Sequence, residues 1–313
     1  MDSPIDTIIH GRCESVMKTF PQESISLSFW SPPYFLGKSY EQGETYDTWQ
    51  ALLKSAIRAH YRILKPGGFL VINIADILAF PDPKIPRYQA MNAAHHKSPV
   101  TREMVLAAKA SNPHFSRYQL AELLNCSEQT IDRRLNGNNI RGGKYQLQTR
   151  VRLVGHHLEK YAYDAKLYLY DKRIWKKDAA WANSKWTTST LKAVSETEDL
   201  YIFWKPGQYI INRDRLTPTE WREWGMRQIW EVKSVRANND HDAKFPVELA
   251  TRVIRLFTDP NDLILDPFIG SGTTAVAAIR THRHFIGIEK EMRYVNLARK
   301  NVAAAMAQKT LFS

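Results

Sequence analysis

Two short stretches of this 313-residue chain combine residue types that could do chemistry. The first is Ser31-Pro32-Pro33-Tyr34, which follows the alternating segment Ile25-Ser26-Leu27-Ser28-Phe29. A proline has no N–H to offer, so this loop presents mainly acceptors: the Ser31 hydroxyl and carbonyls on a stiffened backbone. Two acceptors on the N–H bonds of a conjugated amine would pull its nitrogen toward tetrahedral geometry and localise its lone pair. A poor nucleophile becomes able to take a methyl group, and Tyr34 could stack on the ring carrying the amine. The same residues could equally form a rigid turn with an aromatic ring packed over prolines.

The second stretch is Leu263-Ile264-Leu265-Asp266-Pro267-Phe268-Ile269-Gly270-Ser271-Gly272-Thr273-Thr274, a buried strand, an acid, a glycine turn and a helix start. Gly270 and Gly272 would let the backbone approach a ligand, and Thr273 or Thr274 can cap the helix. Glu289 ends the next apolar run, 23 residues after Asp266, where nucleotide-binding α/β units hold a ribose hydroxyl. No Gly-Lys-Ser/Thr follows, and an acid at the strand tip repels a pyrophosphate. It suits a cationic ligand portion, such as the amino group or sulfonium of S-adenosylmethionine. A tight strand–helix connection without a ligand remains the alternative.

The surrounding elements place both stretches at strand ends. Apolar residues recur at helical spacing from Thr48 to Leu64, Lys65-Pro66-Gly67-Gly68 stops that helix, and Phe69–Ile74 suits a buried parallel strand. Strands are expected at Leu167–Tyr170 and Leu200–Trp204. The last third predicts a helix over Phe245–Phe257, a strand over Asp262–Leu265, a helix over Thr273–Arg280, a strand over His284–Ile288 and a helix over Tyr294–Gln308. The fold class is therefore α/β.

Taken together, Ser31–Tyr34 and Asp266–Thr274 resemble the amino-methyltransferases of bacterial restriction–modification systems, in the permuted order with the catalytic motif first. Leu64–Gly68, Ile174–Lys177, Tyr201–Lys205 and Lys244–Leu249 add to the resemblance, which spans residues 5–80 and 165–300. It implies a Rossmann-like S-adenosylmethionine-dependent methyltransferase sheet, S-adenosylmethionine as donor, no metal, and a double-stranded DNA substrate whose target base is flipped out. It also implies that Asp266, Pro267, Phe268, Gly270, Ser271, Gly272, Thr273 and Glu289 line the donor site, with Phe245 beside its methionine end. Ser31, Pro32, Pro33 and Tyr34 would hold the base, and Ser at the head of the motif is the family's usual mark of cytosine-N4 enzymes. A cognate restriction endonuclease and a homodimer are the partners that such relatives have. One departure stands out: Gly11-Arg12 occupies the place where the family usually has Gly-Asp, so any donor contact made through that Asp is in doubt.

Residues 83–149 are extra relative to this family and interrupt a catalytic domain expected at 1–82 and 150–313. Within them, 115–136 resembles a helix-turn-helix. Ser116 and Ser127 can cap its helices, Leu120, Ala121, Leu124, Ile131 and Leu135 would pack, and Asn125 can turn left-handed. A recognition helix here would aim Gln129, Arg133 and Asn136 at base edges, with Arg141 and Lys144 on phosphates. A small helical bundle packed on the catalytic domain is the plainer reading. Trp221, Trp224 and Gln228 form a second candidate for recognition, though their helical spacing favours core.

Charge is uneven. The chain carries 44 Lys/Arg against 32 Asp/Glu, and the stretch 84–190 alone holds 19 basic and 8 acidic residues. A polyanion-facing surface explains that concentration better than a scattered solvated one. No run of eighteen apolar residues and no N-terminal apolar segment occur, so neither a membrane span nor a secretion signal is expected and the cytoplasm is the default. Two cysteines, Cys13 and Cys126, are too few for a disulfide framework or cysteine-based zinc site, and neither lies in the Pro-Cys loop that carbon-5 methylation needs. Adenine-N6 methylation, an RNA or protein amide methyltransferase, and a non-catalytic DNA-binding regulator remain as alternatives.

Overall fold

The computed structural model describes residues 5–35, 45–82, 84–85, 98–136, 149–179, 193–235 and 245–311. They fall in two compact units, Met1–Phe80 with Val151–Ser184 and Val194–Ser313, and Pro81–Arg150 with Lys185–Ala193.

The first unit is built on β1 (Thr7–His10), β2 (Ile25–Trp30), β3 (Leu64–Ile74), β6 (Tyr168–Lys176), β7 (Thr197–Trp204), β8 (Ile229–Glu231), β9 (Leu263–Asp266) and β10 (His284–Glu289). These strands lie in the order β1-β10-β9-β2-β3-β7-β6-β8, and β4 (Ile77–Pro81) pairs with β5 (Thr149–Arg152) in a separate ribbon. The run from β1 to β3 is parallel, whereas β7 is antiparallel to both β3 and β6.

Alternation along the strands separates two cores. Leu27, Phe29, Phe69 and Val71 join the helices α8 (Val247–Phe257), α9 (Thr273–Arg280) and α10 (Met292–Leu311) on one face. Trp30, Leu70, Ile72 and Ile74 join α1 (Cys13–Val16), α2 (Tyr46–Ile63) and α6 (Gly155–Asp164) on the other. Parallel strands covered on both faces need continuous apolar runs, which is what Phe69–Ile72 and Ile264–Leu265 supply. The connection through α2 leads from β2 to β3, while that through α9 leads from β9 the other way to β10. The neighbours β2 and β9 thus flank a topological switch point, with a crevice outside their carboxyl ends.

Most expected elements appear within a few residues of their expected bounds. Lys65-Pro66-Gly67-Gly68 differs: α2 ends at Ile63, and the four residues lie inside β3. Pairing jumps from Ile25 opposite Leu64 to Leu27 opposite Phe69, so the segment bulges out of the ladder. Gly67 has φ +80°, and a Cβ there would lie 2.1 Å from the Gln208 carbonyl oxygen. The tryptophan-rich segment forms α7 (Pro218–Glu220) and a π-turn, Trp221–Gly225. Trp224 is buried, as helical spacing suggested, but Trp221 is only half-buried and Gln228 is exposed. The segment turns as a short π-turn and leads into β8 rather than continuing as a helix.

In the second unit, α3 (Arg102–Ser111), α4 (Arg117–Leu123) and α5 (Glu128–Asn136) close over Val100, Val105, Leu120, Ala121 and Ile131. Ser116 and Gln119 form a capping box on α4, Asn125 turns with φ +46°, and Ser127 Oγ accepts the Thr130 N–H. Gln129 and Asn136 are exposed and Arg133 is half-buried, while the Asn136 amide donates to Asp132. Arg141 and Lys144 lie outside the described residues.

Candidate active site

One cleft in the first unit takes in Ser31, Pro32, Pro33 and Tyr34 after β2, Asp266, Pro267, Phe268, Gly270, Ser271 and Thr273 after β9, Glu289 at the end of β10, and Phe245 before α8. Segments more than 200 residues apart in sequence meet because β2 and β9 are hydrogen-bonded neighbours. Gly11, Arg12, Cys13 and Glu14 line the same cleft, with the Arg12 guanidinium donating to Glu14 at 2.9 Å.

The acidic end is organised by hydrogen bonds to carboxylates. Asp266 Oδ1 accepts the Phe268 N–H at 3.0 Å, and Oδ2 accepts the Thr274 hydroxyl at 2.6 Å. Glu289 Oε2 accepts the Gly270 N–H at 3.1 Å, and Oε1 accepts the Glu291 N–H at 2.9 Å. Burial pushes the Asp266 carboxyl up to about 7, against the pull of Thr274 and Phe268, and nearby Glu289 adds to the rise. Burial likewise raises Glu289. Among the described residues neither carboxyl has an ion-pair partner, so the cleft holds a buried and a half-buried carboxyl whose ionised forms a cationic ligand would favour.

The threonines do not cap α9 as expected. Its N-cap is Gly272, with φ +92°, and Thr274 bonds back to Asp266 instead. Gly272 is small for a packing reason as well, since a Cβ would meet Ala298 of α10 at 3.2 Å.

The proline loop is fixed from three sides. Trp49 of α2 donates its indole N–H to the Pro33 carbonyl at 2.7 Å. Ser31 Oγ donates to Tyr34 Oη at 3.0 Å, and Tyr34 Oη donates to Glu198 Oε2 at 2.7 Å. The Asn73 amide donates to Tyr34 Oη at 3.1 Å and to Glu198 Oε2 at 2.5 Å, and Lys177 forms an ion pair with Glu198 Oε1. Burial and the Glu198 carboxylate push the Tyr34 phenol well above its usual range, so it keeps its proton. Phe245 packs on Phe29 and Phe268 on Trp30, with ring centroids 4.9 and 5.1 Å apart.

Asn73, Lys177 and Glu198 were not foreseen. They sit at one end of neighbouring strands because β7 runs antiparallel to both β3 and β6, and no sequence spacing reports that. Their one local signal is a polar side chain beside an apolar strand run, Asn73 within Val71–Ile74 and Glu198 just before Leu200. Cys13 lines the cleft, but burial and Glu14 push its thiol up, which removes it as a nucleophile.

Comparison with known proteins agrees with this geometry. Residues 25–300 match the family described as DNA methylase, the N6/N4 amino-methylases. The chain belongs to this family. The DNA methylase is 58% identical over 292 residues to a Bacillus subtilis protein named type II methyltransferase M.BglI, covering 93% of this chain and 84% of the relative. Its fold resembles that of the PvuII DNA methyltransferase, described as cytosine-N4-specific, with TM-score 0.62 and 16% identity over 98% of this chain and 93% of that one. It also resembles TTHA0409 of Thermus thermophilus, solved with S-adenosyl-L-methionine, at TM-score 0.60 and 24% identity over 96% and 94% of the two chains. The sheet of this DNA methylase is thus the Rossmann-like methyltransferase sheet expected from its motifs. Arg12 departs from the family's usual Asp, and the structure turns it toward Glu14 at the rim of the cleft.

Proposed function

We propose that this DNA methylase transfers the methyl group of S-adenosylmethionine to the N4 amino group of cytosine in double-stranded DNA, as the modifying partner of a type II restriction endonuclease. The observation that carries the reading is one cleft holding an acceptor loop headed by Ser31 and two carboxyl groups, Asp266 buried and Glu289 half-buried, without cationic partners among the described residues. The acceptor loop precedes the donor loop in the chain, the permuted order of the motif resemblance.

The donor, when bound, supplies an electrophilic methyl group on a positively charged sulfur. Asp266 and Glu289 would hold its cationic and ribose portions, with Phe245 and Phe268 packing on its apolar parts. On the other side of the cleft, Ser31 Oγ and the Pro32 carbonyl would accept the two N–H bonds of the cytosine amine. Ser31 has already directed its own proton to Tyr34, so lone pairs remain for the amine. The Tyr34 ring would stack on the flipped base while its hydroxyl stays anchored at Glu198. Ser31 at the head of the loop favours cytosine over adenine. The relative named as a type II methyltransferase supports a restriction–modification setting.

Transfer of tritium from labelled S-adenosylmethionine to duplex DNA tests the reading. Ser31→Ala should lower kcat about 100-fold or more, the usual cost of losing one polar contact made in the transition state, while leaving donor affinity intact. Donor binding without any transfer by the wild-type chain would favour a DNA-binding regulator instead.

A further inference from the structure

Ser31 can polarise an amine only if its hydroxyl points away from it, because a hydroxyl hydrogen facing an N–H repels it. The side chains behind the loop determine that direction. A phenol oxygen has one proton to give and room for two incoming hydrogen bonds. At Tyr34 the Asn73 amide takes one acceptor position at 3.1 Å, and the Ser31 hydroxyl takes the other at 3.0 Å. The phenol proton then has one destination, Glu198 Oε2 at 2.7 Å. Glu198 is buried and ion-paired with Lys177, and an ionised carboxylate accepts only. Asn73 gives its other N–H to Glu198 at 2.5 Å, and its carbonyl oxygen is left buried with no partner among the described residues. That orphaned oxygen marks an amide held in this orientation by what its nitrogen does.

We infer that Glu198, held by Lys177 and Asn73, is a positioning residue that fixes the hydrogen-bond direction from Ser31 through Tyr34 and so keeps Ser31 Oγ an obligate acceptor toward the target amine. The inference rests on the catalytic reading of Ser31. It gives a reason for a tyrosine hydroxyl in the loop beyond stacking, since a phenylalanine would stack equally well and leave the serine free to rotate. A carboxylate at the head of the loop would need no such device, having no proton to misdirect.

Glu198→Gln keeps the size of the side chain and introduces an amide that can donate to Tyr34, which lets the whole chain reverse. Single-turnover methyl transfer and S-adenosylmethionine affinity by calorimetry should be measured for wild type, Glu198→Gln, Tyr34→Phe and the double variant. The expected result is a drop in transfer rate of roughly 10- to 100-fold in Glu198→Gln, in the range for one misdirected polar group, at unchanged donor affinity. With the phenol hydroxyl gone the reversed signal cannot reach Ser31, so the double variant should be no slower than Tyr34→Phe alone. A wild-type rate in Glu198→Gln, losses that multiply in the double variant, or loss of donor binding would each overturn the inference. Absence of transfer by the wild-type protein would instead overturn the catalytic reading on which it rests.

Discussion

Asp266 is a buried carboxyl raised to about 7 from its ordinary value of 3.8, and Glu289 beside it is raised too. The sign of the consequence follows from linkage. A folded-state value above the unfolded one means the donor-free protein keeps a proton that the unfolded chain has lost, so this contribution to stability fades as pH rises from about 4 through about 7. A cationic ligand reverses the preference, because it favours the ionised carboxyl. Affinity for S-adenosylmethionine should therefore rise with pH through about 7, with proton release on binding near pH 6. Calorimetry in two buffers of different ionisation enthalpy measures that release directly. The thioether product loses the sulfonium charge but keeps its ammonium. A weaker dependence for it would place Asp266 against the sulfonium and an equal one against the ammonium, while a flat profile for the donor would disconnect Asp266 from either cation. Asp266, Glu289 and Ser31 were all legible in the sequence because each sits in a contiguous motif at a strand end. Glu198 was not, because its meaning comes from the strand pairing that brings it to Tyr34.

At the scale of elements, the bulge in β3 shows how far local punctuation carries. Lys65-Pro66-Gly67-Gly68 reads correctly as the end of α2, since neither proline nor glycine continues a helix. That the strand starts before it, at Leu64 opposite Ile25, depends on the partner strand and is invisible locally. The bulge has a measurable consequence. Gly67 is left-handed at φ +80°, and the Gln208 carbonyl oxygen occupies the place of any side chain. Gly67→Ala should thus cost about 2–4 kcal/mol, a strained backbone plus a displaced neighbour. Chemical denaturation would register it as a lower midpoint at unchanged slope, and a midpoint like that of wild type would show the contact to be soft. The capping signals of α4 and α5 were equally readable, because Ser116, Asn125 and Ser127 act on their immediate neighbours. The contribution of Val100 and Val105 to that core was missed, since Val100 precedes α3 and Val105 is the one buried residue within it, too little for a periodic signal.

At the scale of the molecule, charge is shared unevenly between the two units. The first unit carries the donor and acceptor loops, and of the 19 Lys/Arg in the basic stretch 84–190 it holds 7 while the second holds 12. If α5 reads DNA, the exposed Gln129 and the half-buried Arg133 should act differently from a phosphate contact. Arg133→Ala should relax the preference for the modified site by about 1–3 kcal/mol, and a phosphate-binding lysine should change affinity alike for all sequences and lower the salt slope. Competition binding with specific and random duplexes at several salt concentrations distinguishes the two. Equal loss on both duplexes for Arg133→Ala would make the helical unit a general polyanion surface. The charge of this unit is legible in the sequence, but its inclusion of Lys185–Ala193 is not, and which side chains reach a base depends on docking to DNA.

The central claim is the base and the atom that receive the methyl group. Nucleoside mass spectrometry, paired with single-molecule sequencing, of DNA from cells expressing the chain beside a Ser31→Ala control tests it most directly. The account predicts N4-methylcytosine at a recurrent sequence motif, absent from the control. N6-methyladenine at a motif would contradict the choice of cytosine, and DNA without either modification would contradict the assignment of methyl transfer to this cleft.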